Sequence, residues 1–381
     1  MSKFFEFVGF EYKKMLVQRF SRIVLAIALV IVVVAQLASL IFSSSDAHRG
    51  GMMANMREDR AYAREIAGQP LTTDLLISSM TATPRTQYRE VFRFWADTQT
   101  FTQTMPTNEE IIQSMQNFYI TRQEQTVSYL YELYERNIIS AQGLSHMLQL
   151  NENVSEPWAF YYTRGYERFF TTHLIIAIIV AFIIVIHVAP IFANEHSTNV
   201  SQLILTSKFG KNKLILAKIF AAITFGMLAN IIFFGVSFLV SMAVFGFDGA
   251  SAPFQLFDIH SPFPFTMLQT ALIYVAYATL RTVMFTAVLV WISAKGKSAF
   301  IVIVVAVTWI IAALIYMPIP SDMLRLFFYI FPELNAAFSI MPYEIFGRII
   351  MPYVFEPLVA VVVGLAFLPF AGRAFARHQI S

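Results

Sequence analysis

Apolar runs near twenty residues long recur along this chain, the first being IVLAIALVIVVVAQLASLIF at about residues 23–42. A run of that length crosses the hydrocarbon core of a bilayer as a helix. In lipid only a helix or a closed barrel satisfies its own backbone. Further runs lie at about 170–192, 214–245, 263–292, 299–317 and 354–370. Only 13% of the 381 residues are charged and 57% are hydrophobic, whereas a soluble domain averages about 25% charged. The expected fold class is therefore an all-α integral membrane protein with six transmembrane helices. The net charge of +3 is too small to argue for nucleic acid, and the absence of cysteine excludes disulfides, zinc–thiolate sites and cysteine nucleophiles. The first run is too long for a cleavable signal, and no small-residue cleavage site clearly follows it.

Lysine sets the expected topology. Lys3, Lys13, Lys14, Arg19 and Arg22 precede the first run; the other lysines lie within 208–218 or at Lys295 and Lys297. Segments flanked by Lys and Arg stay on the cytoplasmic side, so both termini are expected inside. Residues 43–168 carry arginines, more acids than arginines, and no lysine. They are expected to form an external helical domain, since long domains cross regardless of charge. Asn108-Glu109-Glu110 is expected to open a long helix from Ile111 to about Ile139, with Pro70, Pro84 and Pro106 dividing the earlier part into shorter helices. Phe118, Tyr119, Tyr129, Tyr131 and Tyr134 are read chiefly as its packed face, with a binding surface as the alternative. Before the first run, Phe4, Phe7, Val8, Tyr12, Met15 and Leu16 recur at helical spacing, the pattern of an interfacial amphipathic helix.

Between the second and third runs stands ANEHSTNVSQLILTSKFGKNKLILAK, residues 193–218. Within it, Val200, Leu203, Ile204 and Leu205 suit a short amphipathic helix along a membrane surface. A soluble motor could push on such an element from inside the cell. The plain alternative is a loop that only joins two spans. The stretch resembles the coupling loop of permeases of the type-2 ATP-binding-cassette exporter family. The matching residues are Phe192-Ala193, Glu195, Thr198, Leu203 to Leu205, Thr206-Ser207, the basic cluster Lys208 to Lys213, and Lys218 opening the third span. Ser197 stands where that family usually has Gly before the Thr, and Ser207 replaces its common Pro.

That resemblance implies an export permease whose coupling residues are Glu195, Thr198, Leu203, Thr206, Lys208 and Lys211, with Glu195 fixing the loop against an Arg or Lys of the N-terminal helix. It implies an elbow helix at 1–20, a first span at 21–42 and an extracellular helical domain at 43–168. A five-span domain would follow at 169–372, with the coupling loop at 193–213, and a cytoplasmic tail at 373–381. Its partners would be two ABC ATPase subunits, a second permease chain (identical or related) and membrane lipid, in a bacterial plasma membrane. ATP and Mg would be bound by the partner ATPase, with no cofactor in this chain. The large insertion between the first two spans is similar to the branch that exports sodium, drugs or antimicrobial peptides. The cargo would be a hydrophobic or amphipathic peptide, drug or lipid-like molecule.

No catalytic residue is expected in this chain. Gly296-Lys297-Ser298 imitates a phosphate-binding loop, but Trp291 stands where the first Gly belongs and no strand precedes it. The 7 histidines are scattered without metal-ligand spacing. Arg281, in the middle of the fourth run, is the most informative charge. At a bilayer centre it costs about 2.5–3.5 kcal/mol on insertion scales, so it needs a partner, and Glu333, Glu344 and Glu356 are the candidates. It would line a pathway or form a structural ion pair. Asn230 and Gln36 are expected to bond between helices. Residues 318–352, apolar yet broken by Pro318, Pro320, Pro332, Pro342 and Pro352, are expected as external half-helices. Two other classes compete: a membrane sensor or resistance protein whose outer domain binds a ligand, and a secondary transporter, which calls for internal repeats.

Overall fold

The computed structural model describes residues 2–42, 52–81, 91, 108–316 and 332–377. The chain is mostly helical, and five helices are long and apolar enough to cross a membrane: Arg19–Ala38, His173–Ser197, Asn212–Phe245, Met267–Lys295 and Pro352–Ala376. It is a multi-pass membrane protein. In chain order the bundle elements are α1 (Ser2–Leu16), α2 (Arg19–Phe42), α9 (His173–Val188), α10 (Pro190–Ser197) and α11 (Val200–Thr206), then α12 (Ile215–Phe245), α13 (Met267–Lys295), α14 (Ala299–Tyr316) and α16 (Pro352–Ala376). Between α2 and α9 come α3 (Met52–Glu65), α4 (Thr73–Thr81), α5 (Asn108–Gln116), α6 (Phe118–Glu135), α7 (Ala141–Glu152) and α8 (Arg164–Thr171).

α13 and α16 run parallel. Tyr277 meets Glu356, Met284 meets Gly364 and Trp291 meets Phe367, in rising order on both helices. At their crossing a Cβ on Gly364 would stand 3.2 Å from the Met284 backbone, so glycine lets the helices touch. Small residues serve this purpose where apolar burial alone cannot drive helices together in lipid. Buried polar groups bridge other helices: Gln36 Nε2 donates to Thr172 Oγ1 at 2.6 Å and Ser237 Oγ at 2.5 Å, and Asn230 Nδ2 donates to Thr279 Oγ1 at 2.9 Å. Both interhelical expectations hold.

The elements holding every lysine gather at one end of the bundle, called here the basic end. There α1 lies against the start of α12, with Phe4 on Phe220 at 5.7 Å and the Tyr12 hydroxyl donating to Thr224 at 2.8 Å. At the far end sit α3 to α7. Buried Trp158 packs against α6, edge-on to Phe118 and Tyr119 at 5.6 and 5.4 Å. Arg122, buried in α6, ties this layer to the connection between α12 and α13. Its guanidinium donates to the carbonyls of Ile259 and Ser261 at 3.0 and 2.8 Å and to Asn151 Oδ1 at 2.8 Å. Burial holds the Arg122 pKa below its ordinary value, against the pull of Glu156 and Asp258.

Several expectations are corrected. The long helix from Ile111 to Ile139 is two helices, α5 and α6, broken at Asn117 (φ −100°, ψ 13°). Asn readily leaves helical geometry because its side chain competes for local backbone bonds. Of the aromatic run, Phe118 is buried and Tyr119 half-buried, but Tyr129, Tyr131 and Tyr134 are exposed. The described part of the expected half-helices is one short helix, α15 (Leu334–Ala337), followed by an antiparallel hairpin of β1 (Tyr343–Ile345) and β2 (Arg348–Ile350). The turn Phe346-Gly347, with φ of 50° and 72°, is the two-residue, positive-φ kind that suits hairpins. The chain otherwise remains mostly helical, as expected of an all-α membrane protein. Residues 318–331, with Asp322, and also Pro84 and Pro106, lie outside the described residues.

Asp248, just after α12, receives Arg60 at 2.6 Å and Arg64 at 2.8 Å, both from α3. Burial alone would raise its pKa; hydrogen bonds and charge from Arg64 and Arg60 outweigh that and hold it below the ordinary aspartate value. A depressed carboxyl contributes stability that is complete above its unfolded pKa and is lost as pH falls through the folded one. Asp248→Asn should therefore speed amide exchange across α3 at neutral pH, measured by hydrogen–deuterium exchange, with α9 and α13 unchanged.

Candidate functional site

The basic end is assembled around a fully buried lysine. Lys218, in the first turn of α12, reaches Glu195 Oε1 of α10 at 2.6 Å and Glu11 Oε1 of α1 at 2.7 Å, and donates to the Ile191 carbonyl at 3.3 Å. Lys14 of α1 adds a contact to Glu195 Oε1 at 3.3 Å. Two acids and two lysines leave this cluster neutral, as a buried site requires. It pins α1, α10 and α12 to one another. The expectation that Glu195 pairs with a basic residue of the N-terminal helix matches this geometry. Glu11 is a site residue that the sequence reading does not single out. Its spacing carried the signal, since Phe4, Phe7, Val8, Glu11, Tyr12 and Met15 form one stripe at intervals of three and four, and Glu11 is buried within it.

Beyond the cluster the chain turns outward. α10 follows a break at Ala189, where Ser293 Oγ of α13 donates to the Ala189 carbonyl at 2.7 Å and accepts the amides of Phe192 and Ala193 at 3.1 and 3.2 Å. The Phe192 and His196 rings pack on Phe375 of α16 at 4.7 and 5.0 Å. Thr198 closes α10 by donating to the Asn194 carbonyl at 2.7 Å. Asn199, at φ 57°, then reverses the chain into α11, a conformation that Asn tolerates better than most residues.

α11 spans the expected positions Val200, Leu203, Ile204 and Leu205. Its Leu203 is 72% exposed, Thr206 and Lys208 are exposed, and Ile204 and Leu205 turn inward. The following residues, Gly210–Leu214, form a single π-helical turn that contains Lys211. A Cβ on Gly210 would lie 1.6 Å from the Ile204 carbonyl oxygen, so only glycine closes this turn against α11. Lys3, Lys208 and Lys213 surround the Phe209 ring at 5.3, 5.7 and 5.2 Å. Glu195, Thr198, Leu203, Thr206 and Lys208 thus lie along one ledge, with Glu195 in the buried charge cluster and Leu203, Thr206 and Lys208 exposed; the Lys211 side chain lies outside the described residues.

Arg281 lies elsewhere, between α13 and α16. It is buried and pairs with Glu356, and its Nη1 donates to the Tyr277 hydroxyl oxygen at 2.9 Å. Tyr277 and Tyr343 donate to the two oxygens of Glu356 at 2.5 and 3.1 Å. Of the three acids considered, Glu356 is the one whose pairing with Arg281 the structure shows. Glu344 points out from β1, exposed, and Glu333 precedes α15. Glu356 follows Pro352 in the first turns of α16, so it meets Arg281 at depth, whereas Glu344 belongs to the hairpin. Asn230 is bonded to Thr279 and does not join this pair. The arrangement is a helix-to-helix brace. Among the described residues no cluster of His, Cys, Asp and Glu could hold a metal ion.

In comparisons with known proteins, no family model, no curated protein and no solved structure matches the chain.

Removing one partner of a buried ion pair leaves an uncompensated charge and costs about 3–5 kcal/mol, while replacing both by apolar residues is often near neutral. Arg281→Met and Glu356→Leu should each lower the thermal unfolding temperature in detergent clearly, and the double variant should recover much of that loss.

Proposed function

We propose that the chain is the membrane subunit of an ATP-driven exporter of the type-2 ATP-binding-cassette kind. One observation carries the reading. The ledge from Glu195 to Lys211 is tied to α1 and α12 through the buried Glu11–Lys218–Glu195 contacts, yet offers Leu203, Thr206 and Lys208 to an outside partner. A push on α11 would reach the third span through an ion cluster rather than be lost in a loose loop. Interiors that pack to two discrete arrangements pass on small displacements in this way.

In this reading the basic end faces the cytoplasm of a bacterial cell, with both termini inside. α14, 18 residues long and apolar, is the remaining span of six, and α3 to α7 stand outside as an extracellular domain. Two ATPase subunits, which bind ATP and Mg, press on the ledges of two permease chains, identical or related. The halves rock, and a hydrophobic or amphipathic peptide, drug or lipid-like cargo moves outward between them. Arg281 and Glu356 then act as a brace that keeps the fourth and sixth spans moving as one body.

The test is recovery of the partner. The tagged chain, solubilised in mild detergent, should bring down an ATPase with a complete phosphate-binding loop in stoichiometric amount. Leu203→Asp should reduce that recovery roughly tenfold, the scale of a central interface residue, without changing the gel-filtration profile of the chain itself. A preparation free of ATPase even after cross-linking overturns the proposal.

A further inference from the structure

A groove of about 550 Å3 opens between the basic ends of α13 and α16, lined by Trp291, Lys295, Phe367, Phe370, Arg373 and Arg377. Its two walls have different origins. On α13, Trp291 and Lys295 are four residues apart and share a face, and the Lys295 ammonium rests 4.3 Å from the Trp291 ring centre. On α16, Phe367, Phe370, Arg373 and Arg377 recur at intervals of three and four, so the helix turns two aromatics and two guanidiniums toward the same side. Trp291 and Phe367 meet edge-on at 5.7 Å and form the apolar floor.

The groove's charge is one-sided. Lys295, Arg373 and Arg377 are exposed, the groove lining contains no acid, and none of the three forms an ion pair among the described residues. Three cations over an aromatic floor suit an anion that carries apolar substance. The outer face of α16 continues the pattern. Leu358, Val362, Leu365 and Phe370 are 55, 67, 54 and 55% exposed, and in a multi-pass protein such a stripe can lie along acyl chains. Phe370 lines the groove, and Arg373 stands about three turns beyond Val362 on nearly the same face, so the apolar face runs directly into the basic one.

The geometry points to a binding site for the phosphodiester headgroup of an anionic phospholipid, with Lys295, Arg373 and Arg377 on the phosphate and Trp291, Phe367 and Phe370 against the glycerol and upper acyl chains. Guanidiniums suit phosphate oxygens through paired donors, and basic pockets between spans on the cytoplasmic side bind such headgroups. The continuous apolar stripe favours a lipid over an acidic segment of a partner protein, which would need only the charges. The site rests on the membrane reading of the chain and not on the ATP-driven one.

The experiment titrates the purified full chain in detergent with phosphatidylglycerol and, separately, phosphatidylcholine, and counts bound lipid by native mass spectrometry. Phosphatidylglycerol should be retained at about tenfold lower concentration than phosphatidylcholine. Arg373→Gln with Arg377→Gln should abolish the preference, and Lys295→Gln on the facing helix should weaken it. These side chains are exposed, so thermal unfolding without added lipid should stay as in the parent. If the double variant does not fold, Lys295→Gln carries the comparison. Equal retention of the two lipids, or a preference that survives every substitution, overturns the site. Displacement of phosphatidylglycerol by an equal concentration of inorganic phosphate overturns the lipid assignment in favour of a free anion. Loss of a co-purified protein in these variants, with lipid retention unchanged, gives the groove to a protein partner.

Discussion

A lysine sealed from solvent must find its counter-charges inside the protein, and Lys218 finds two, on separate elements. Its ammonium could not be buried against one helix alone at tolerable cost, since an unpaired buried charge costs several kcal/mol. The need for Glu11 brings the amphipathic helix α1 down onto the third span. The need for Glu195 draws in the turn after the second. Between those elements run α11 and the π-turn at Gly210–Leu214, which form the exposed ledge. The arrangement at the basic end is thus a consequence of satisfying one charge.

The same logic recurs at other depths. Arg281 and Glu356 join α13 and α16 with two tyrosine hydroxyls completing the acceptor shell. Gln36 and Asn230 join spans by hydrogen bonds. At the far end Arg122 and the Asp248 pair fasten the inserted helices to the connections of the bundle. Apolar contacts between spans gain little over contacts with lipid tails, so packing and polar bridges decide which helices touch. The far-end layer is attached by several such fastenings, which argues for a part that moves with the bundle.

Much of the architecture was legible from residue order. Apolar run length marked the five long apolar helices to within a few residues, the stripe of Phe4 to Leu16 marked α1, and the pattern from Val200 to Leu205 marked α11. The polar bridges of Gln36 and Asn230 were also readable, because a lone amide in an apolar run must bond to another helix. Less visible were features that depend on a partner distant in sequence. Ser293, inside α13, bonds the turn at Ala189 on another helix. Glu11 finds its counter-charge on Lys218, more than two hundred residues away.

Composition and spacing by themselves determined that this chain is a helical, multi-pass membrane protein with an amphipathic N-terminal helix and a lysine-rich turn, because hydrophobic length and periodicity are local properties of consecutive residues. The tertiary structure alone decided that Arg281 pairs with Glu356 and that Tyr343 to Ile350 form a hairpin where half-helices were expected. It also decided that α13 and α16 run parallel around Gly364, leaving a basic groove at one end. Those outcomes depend on which helices meet and at what depth, and no single stretch of sequence carries the geometry of its partner.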